Sequence, residues 1–275
     1  MARNTVIMCS TVDFFGIKIP SYSLLTFLGA AAAIAFCLLQ CRFPRRADGD
    51  KPNCHDMFFM LVFAAAGAFI GARIMFVITS ENLVWDSEVD FWVNIIEWAK
   101  QISTGGLVFY GGLTGGAAAA ALYARRWGMP VSEAVDIMFA GVPLFHAFGR
   151  AGCFLSGCCY GTEYHGPFAV TFPKGNAGMA PYGVELFPVQ LAEAALNIVL
   201  WAAVFAVYRK SSHKWITTGV YLVSYSVMRF VLEFFRGDDI RGYVGGLSSS
   251  QLFGIFAAAV GVVMLVKSGM RRQEN

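Results

Sequence analysis

The sequence predicts an all-α polytopic membrane protein, with one transmembrane domain over residues 1–275, seven transmembrane helices and a small extracytoplasmic cap. Three properties of the composition support this fold class. Hydrophobic residues make up 57% of the 275-residue chain, charged residues make up only 14%, and the mean hydropathy is +0.57. An ordinary soluble domain has about 25% charged residues. The composition therefore excludes a soluble globular protein.

Seven windows have the length and apolarity of membrane-spanning helices, because crossing about 30 Å of hydrocarbon takes about 20 apolar residues in helical conformation. In chain order, the windows are Ser21 to Gln40, Met57 to Thr79, Leu107 to Ala124, Val131 to Gly157, Phe187 to Tyr208, Ile216 to Phe235 and Ser248 to Val266. The outer connection 80–106 has apolar residues at the spacing of an amphipathic helix, which predicts a helix lying in the headgroup layer. The outer connection 158–186 is rich in turn residues and is expected to form a cap with one or two short strands.

The charges in the connections predict the orientation, since cytoplasmic loops retain more Lys and Arg than loops on the other side. The first, third and fifth connections and the C-terminus hold 12 basic residues, and the opposite side holds 6. We therefore expect the N-terminus outside and the C-terminus in the cytoplasm. The net charge of +3 reflects this bias, and no basic stripe with interleaved aromatic residues predicts binding to nucleic acid.

Three of the 21 basic residues lie inside predicted spans, namely Arg73, Arg150 and Arg229. An arginine inside a bilayer costs at least about 2.5 kcal/mol on insertion scales and marks a functional site by default. The alternative, strongest for Arg73, is a structural ion pair with an acidic residue of the bundle. Arg229 lies roughly 20 Å above the cytoplasmic start of its span, and all three arginines fall toward the outer leaflet. A basic cavity there suits an anionic lipid phosphate, because guanidinium groups bind phosphate oxygens in bidentate fashion.

Aromatic and acidic residues near these arginines are candidates for the same site. Tyr22 and Tyr110 lie at the outer ends of their spans; alternatively, both belong to the aromatic belt of the membrane interface. Glu193 and Glu233 are the acids available to compensate the arginines. Because Glu233 follows Arg229 by four residues, the two face each other on one side of a helix. Glu233 is therefore expected to hold Arg229 in place.

The stretch GRAGCFLSGCCYG, residues 149–161, places Cys153, Cys158 and Cys159 at the outer end of the fourth span. Their spacing lacks the paired C-x2-C pattern of zinc modules, so the sequence predicts no metal site. Two interpretations remain. The cysteines are structural, packed or disulfide-bonded outside the reducing cytoplasm, or a thiolate whose pKa is lowered by Arg150 is a nucleophile or redox centre.

Six motifs carry a family resemblance by their order along the chain. They are IPSY before the first span, GAR at residues 71–73, GGLVFYGGLTGG, GRAGCFLSGCCYG, FPVQLAE and YSVMRFVLEFFR. From Ile19 to Lys267 the sequence resembles the prolipoprotein diacylglyceryl transferase family, as a divergent branch with cysteines in the signature motif. The resemblance implies transfer of a diacylglyceryl group from phosphatidylglycerol to the cysteine thiol of a prolipoprotein lipobox, at the outer face of the bacterial inner membrane. It implies no cofactor.

The resemblance also assigns residues to the reaction. It implies that Arg150 and Arg229 handle the phosphate. Other functional or nearby positions of the family match Tyr22, Gly161, Tyr225, Glu233 and Arg236. Arg73 is expected to contribute to substrate binding because of its depth in the second span.

Four positions near the site depart from the family pattern. Tyr110 and Phe187 replace histidines, while Cys153 and Cys158 replace an asparagine and a glutamate. The group that deprotonates the acceptor thiol is therefore left open. His146 is a candidate, because it lies within the membrane and shares a helix face with Cys153; alternatively, it is a packed histidine bonded to a helix carbonyl. Tyr110 is expected to donate a hydrogen bond to phosphate.

Functions in three different classes are consistent with these residues. The first is the phospholipid-dependent transferase, whose partners are an anionic phospholipid and a thiol-bearing acceptor. The second is a membrane thiol–disulfide oxidoreductase that works through Cys153, Cys158 and Cys159 on the same scaffold and needs no phospholipid. The third is a catalytically inactive lipid-binding relative. The sequence favours the transferase.

Overall fold

The structure of the chain, a computed structural model, describes residues 11–43, 52–79, 89–104, 108–175, 178–211, 213–238 and 243–273. Eight helices form within these ranges. In chain order they are α1 (Ser21–Arg42), α2 (Cys54–Thr79), α3 (Phe91–Thr104), α4 (Phe109–Arg126), α5 (Val131–Ser156), α6 (Val189–Lys210), α7 (Ile216–Glu233) and α8 (Ser249–Gln273). One helix occupies each of the seven predicted windows, and α3 occupies the segment predicted to be an amphipathic helix.

Five of these helices, α1, α2, α5, α6 and α8, are long and apolar enough to cross a membrane. The helices α4 and α7 have 18 residues each and are more polar, since α4 ends in two arginines and α7 contains Arg229 and Glu233. The prediction of a mainly helical membrane protein is confirmed. Membrane passage by α4 and α7, and the location of α3 in the headgroup layer, stay predictions. Residues 80–88 and 105–106 of the predicted interfacial segment lie outside the described residues.

Antiparallel two-stranded sheets form at three places in the described part of the chain. In chain order the strands are β1 (Thr11–Phe14), β2 (Ile17–Pro20), β3 (Val170–Thr171), β4 (Glu185–Leu186), β5 (Tyr243–Val244) and β6 (Leu247–Ser248). Strands β3 and β4 pair inside the segment 158–186, where the sequence predicts one or two strands. The hairpins β1–β2 before α1 and β5–β6 before α8 are not expected from the sequence.

The chain divides into two compact units, residues 1–49 with 135–275 and residues 50–134. In the smaller unit, α2 and α4 pack through glycines of the GGLVFYGGLTGG motif. A Cβ on Gly71 would overlap the carbonyl oxygen of Gly111, and a Cβ on Gly115 would lie 2.9 Å from the Cα of Gly71. The two backbones therefore lie in direct contact, as small residues permit between membrane helices.

In the larger unit, a buried carboxylate fixes the start of α7. Asp136 of α5 is fully buried. It accepts hydrogen bonds from the backbone N–H groups of Trp215 and Thr218, both at 3.0 Å, and from the Thr218 hydroxyl at 2.7 Å. A carboxylate at this position satisfies unpaired N–H groups and opposes the positive end of the helix dipole. The contact ties together the two helices that carry Arg150 and Arg229.

Candidate active site

Arg150 lies in the last two turns of α5 and forms a buried ion pair with α6. Its Nε lies 3.0 Å from Oε1 of Glu193, whose side chain is only 2% exposed. A carboxylate buried to this extent needs a cationic partner, because burial of an unpaired charge costs several kcal/mol. The guanidinium also donates a hydrogen bond to the hydroxyl oxygen of Tyr225 on α7. Arg150 is thereby held by contacts from two neighbouring helices.

Arg229 forms the second ion pair, within α7. Its Nη1 lies 2.5 Å from Oε2 of Glu233, and both side chains are almost completely buried. Its Nη2 donates a hydrogen bond to Oγ of Ser250 on α8, at 3.3 Å. The prediction that Glu233 faces Arg229 is confirmed. The role of Ser250 is missed by sequence reasoning, because a serine in the first turn of a helix carries no distinguishing pattern.

Tyr225 connects the two arginines. It interacts electrostatically with both Arg150 and Arg229, and its ring centroid lies 5.1 Å from that of His146. Nδ1 of His146 is buried and has no hydrogen-bond partner among the described residues. The expectation of a histidine bonded to a helix carbonyl is therefore not met at this nitrogen.

The turn after α5 brings Cys153, Cys158 and Cys159 together. Their Sγ atoms all lie within 4.8 Å of one another, and all three residues are free thiols. The thiol of Cys158 donates a hydrogen bond to the carbonyl oxygen of Cys153, at 3.7 Å. The Cys159 sulfur lies beside the thiols of Cys153 and Cys158 and near the cations Arg236 and Arg150. Together these contacts lower the pKa of Cys159 below its usual range, because each of them favours the thiolate.

Tyr22, at the start of α1, packs against the last turns of α5. A Cβ on Gly152 would lie 3.2 Å from Cδ2 of Tyr22, and the tyrosine interacts electrostatically with Cys153. On the other side, Nε2 of Gln190 donates a hydrogen bond to the carbonyl oxygen of Cys158, at 2.9 Å. Sequence reasoning missed Gln190, although a buried glutamine at the start of an apolar helix is a signal that could have found it.

Gly161 is required by backbone packing. It forms an antiparallel bridge with Arg236, and the adjacent Thr162 donates to the carbonyl oxygen of Phe235 and accepts from the N–H of Phe187, both at 2.9 Å. A Cβ on Gly161 would overlap the carbonyl oxygen of Phe187 and lie 3.0 Å from that of Phe235. Only glycine allows the three backbone segments to lie this close.

The side chain of Arg236 is held by a partner that the sequence does not predict. Its Nε and Nη2 donate to the two carboxylate oxygens of Asp238, at 3.1 and 2.9 Å, in the bidentate geometry that suits a guanidinium. Phe187, which stands where the family pattern has a histidine, packs its ring 5.5 Å from that of Phe235 and 5.5 Å from that of Tyr164. Phe187 therefore contributes an aromatic contact, and its own side chain has no titratable group.

Arg73 and Tyr110 lie in the smaller unit. The Arg73 guanidinium lies 5.4 Å from the centroid of the Phe69 ring on the same helix, within the range of a cation–π interaction. Tyr110 is the second residue of α4, and its side chain lies outside the described part of the structure. The roles expected of these two residues stay predictions.

Comparison with known proteins places the chain in a family. A family model described as prolipoprotein diacylglyceryl transferase matches residues 10–267. A Clostridium tetani protein named phosphatidylglycerol–prolipoprotein diacylglyceryl transferase is 30% identical over 262 residues, which cover 95% of this chain and 98% of the relative. A Clostridium perfringens protein with the same name, numbered 2, is 31% identical over 255 residues, which cover 92% of both chains.

A relative of the same name from Sinorhizobium medicae is 33% identical over 224 residues, which cover 78% of this chain and 75% of that protein. The residues matched by the family model span α1 to α7 and most of α8. They do not favour the alternative of a thiol–disulfide oxidoreductase. The chain belongs to the prolipoprotein diacylglyceryl transferase family.

Proposed function

We propose that this protein transfers the diacylglyceryl group of phosphatidylglycerol to the lipobox cysteine thiol of a prolipoprotein, at the outer face of the bacterial inner membrane. The observation that carries the proposal is the placement of Tyr225 between two arginines that are each paired with a buried glutamate. The names of the relatives support the choice of lipid donor and protein acceptor.

Arg150 and Arg229 suit the departure of the phosphate. As the bond between the glyceryl carbon and the phosphate oxygen breaks, negative charge accumulates on the leaving glycerol phosphate, and fixed cations stabilise that charge. Each guanidinium is already held by a carboxylate, so little reorganisation is needed when the charge develops. The hydroxyl of Tyr225 supplies a further hydrogen-bond donor beside both cations.

The acceptor thiol must lose its proton as the new sulfur–carbon bond forms. His146 is our candidate base, because its buried Nδ1 has no hydrogen-bond partner among the described residues and its ring contacts Tyr225. Tyr22 and the turn containing Cys153 and Cys158 line the neighbouring part of the site. We expect Gly161 to shape the backbone there and Arg236, with Arg73 and Tyr110, to bind the headgroup.

The proposed topology has seven spans, with the N-terminus outside and the C-terminus cytoplasmic. The bias of basic residues in the connections supports it, as do the helices found in all seven windows. In this orientation the cysteine turn and the segment 158–186 face the outside. The two arginines then lie at the leaflet where lipoprotein precursors emerge.

The transfer reaction tests the roles of the arginines. Arg150→Ala and Arg229→Ala should each reduce transfer from labelled phosphatidylglycerol to a lipobox peptide by at least about a hundredfold, as the loss of one charge-stabilising group typically does. Arg126→Ala is the matched control and should retain full turnover, because that arginine lies in the last turn of α4, over the ring of Trp127 at 5.6 Å. Turnover at the wild-type rate in either site variant would refute the assignment.

The topology is tested by labelling intact cells with a membrane-impermeant thiol reagent. Cys158 or Cys159 should react, since both are only partly buried, whereas Cys54 at the start of α2 should react only after the cells are permeabilised. Cells that carry Cys54→Ser provide the control for peptide assignment. The reverse pattern would place the site at the cytoplasmic leaflet and would contradict the proposal.

A further inference from the structure

Three sulfur atoms converge at the end of α5 without forming disulfides. The Sγ atoms of Cys153, Cys158 and Cys159 lie within 4.8 Å of one another, and the residues are free thiols. The convergence depends on the backbone, because Gly157 and Cys159 adopt left-handed conformations with φ of +73° and +56°. Such a conformation is unfavourable for a residue with a side chain. The turn thus maintains a strained cysteine that points its sulfur back toward the other two.

The donor set indicates the class of ligand. Within the part of the chain that the structure describes, no histidine or carboxylate joins the three sulfurs in this group. Clusters of thiolates alone select soft metal ions such as Cu(I), or Zn(II) and iron–sulfur clusters. Structural zinc is almost always bound by four ligands in tetrahedral geometry, and the turn supplies three. A soft ion that accepts three sulfurs fits the site better.

The surrounding charges are balanced, so the number and kind of ligands indicate the metal. Arg150 and Arg236 both interact electrostatically with Cys159, and each guanidinium is paired with a carboxylate, that of Glu193 or of Asp238. The three sulfurs are fewer than the four ligands of structural zinc, and thiolates alone suit a soft ion such as Cu(I).

We infer that Cys153, Cys158 and Cys159 form a binding site for one Cu(I) ion, held by their three sulfur atoms. Each thiol that binds the ion releases its proton to solvent, and copper remains in the +1 state throughout. Cys158 and Cys159 are half-buried and Cys153 is buried, so the ion enters from the side of the turn. The same turn lines part of the proposed transferase site, but the copper proposal does not rest on that function, because binding of the ion requires neither lipid nor acceptor.

The test uses the full-length chain in detergent with the other four cysteines, Cys9, Cys37, Cys41 and Cys54, replaced by serine. Under anaerobic conditions, this variant is titrated with Cu(I) against a coloured Cu(I) chelator. We expect one ion per chain, with a first shell of sulfur only in X-ray absorption. Adding Cys158→Ser should weaken binding by at least about tenfold, the minimum cost of disturbing a metal site. A competing titration with Zn(II) should fail to displace the copper.

A second measurement covers the case in which Cys158→Ser fails to fold. In the chain that retains only the three cysteines, saturation with Cu(I) should protect all three from alkylation, as read by mass spectrometry. The inference is overturned if alkylation is unchanged by Cu(I), if nitrogen or oxygen ligands complete the shell, or if Zn(II) displaces the ion. Equal Cu(I) affinity in a folded Cys158→Ser variant would also overturn it. Transferase activity is not a readout, so failure here leaves the proposed function standing.

Discussion

The buried ion pair between α5 and α6 makes a quantitative prediction for Glu193→Gln. The substitution keeps the shape of the side chain but removes the charge that compensates Arg150. Breaking a fully buried pair costs about 3–5 kcal/mol. Because the Arg150 side chain is 21% exposed, against 2% for Glu193, we expect the lower end, about 3 kcal/mol. For a chain of this size that loss corresponds to a decrease in Tm of about 6–12 °C.

The measurement is thermal unfolding in detergent, followed by circular dichroism. Glu97→Gln is the matched control, because Glu97 pairs with Lys100 at 3.7 Å on an exposed face of α3, where a pair contributes about 0–1 kcal/mol. The double variant Arg150→Met with Glu193→Leu should recover at least half of the lost stability, since it leaves no unpaired charge buried. A Tm for Glu193→Gln no lower than that of Glu97→Gln would refute the reasoning, as would a double variant no more stable than Glu193→Gln.

Two further predictions concern the segment after α5. Gly161→Ala should destabilise the folded protein by about 1–3 kcal/mol, as overpacking does, because the added Cβ overlaps the carbonyl oxygen of Phe187. A Tm equal to that of Gly269→Ala, at a helical glycine with nothing near its Cβ position, would contradict this. The hydrogen bond to Glu185 raises the pKa of His165 above 6.5, so the pair stabilises the fold fully below that pH and loses the effect as pH rises through the folded-state pKa. His165→Gln should therefore lower Tm slightly at about pH 5 and not at about pH 9, whereas an equal decrease at both values would refute the protonation argument.

The positions of the helices could be predicted because a helix that crosses the hydrocarbon core must be long and mainly apolar, and few other segments of a chain have both properties. The amphipathic helix α3 followed from its periodicity. The hairpins β1–β2 and β5–β6 could not be predicted, because strands of two to four residues are too short for an alternating pattern to be recognised. The ends of the windows differ from the helices by a few residues, as at Pro188, which lies before α6 instead of inside it.

The residues of the site could be predicted where the signal lies in one short stretch of sequence. Arg150 and Arg229 are conspicuous because charge is rare in apolar windows, and Glu233 follows Arg229 at a spacing that any helix converts into a contact. Ser250, Asp238 and other partners could not be predicted, because which polar residue meets which guanidinium depends on tertiary packing. The grouping of the three cysteines also depends on two left-handed residues in one turn, and the spacing of the cysteines gives no indication of that conformation.

The carboxylate of Asp136 at the start of α7 has a consequence for the rotational phase of that helix. At 3.6 residues per turn, Tyr225 and Arg229 lie about two and about three whole turns beyond Thr218. All three residues consequently lie on one face of α7. Asp136 fixes the orientation of this face by its hydrogen bonds to Thr218, and the same face carries the side chains of Tyr225 and Arg229. Rotation of α7 by a single residue would turn the side chains of Tyr225 and Arg229 away from the site by about 100°. Hydrogen bonds at one end of the helix thus fix the direction, about the helix axis, in which the Arg229 guanidinium roughly 16 Å away points.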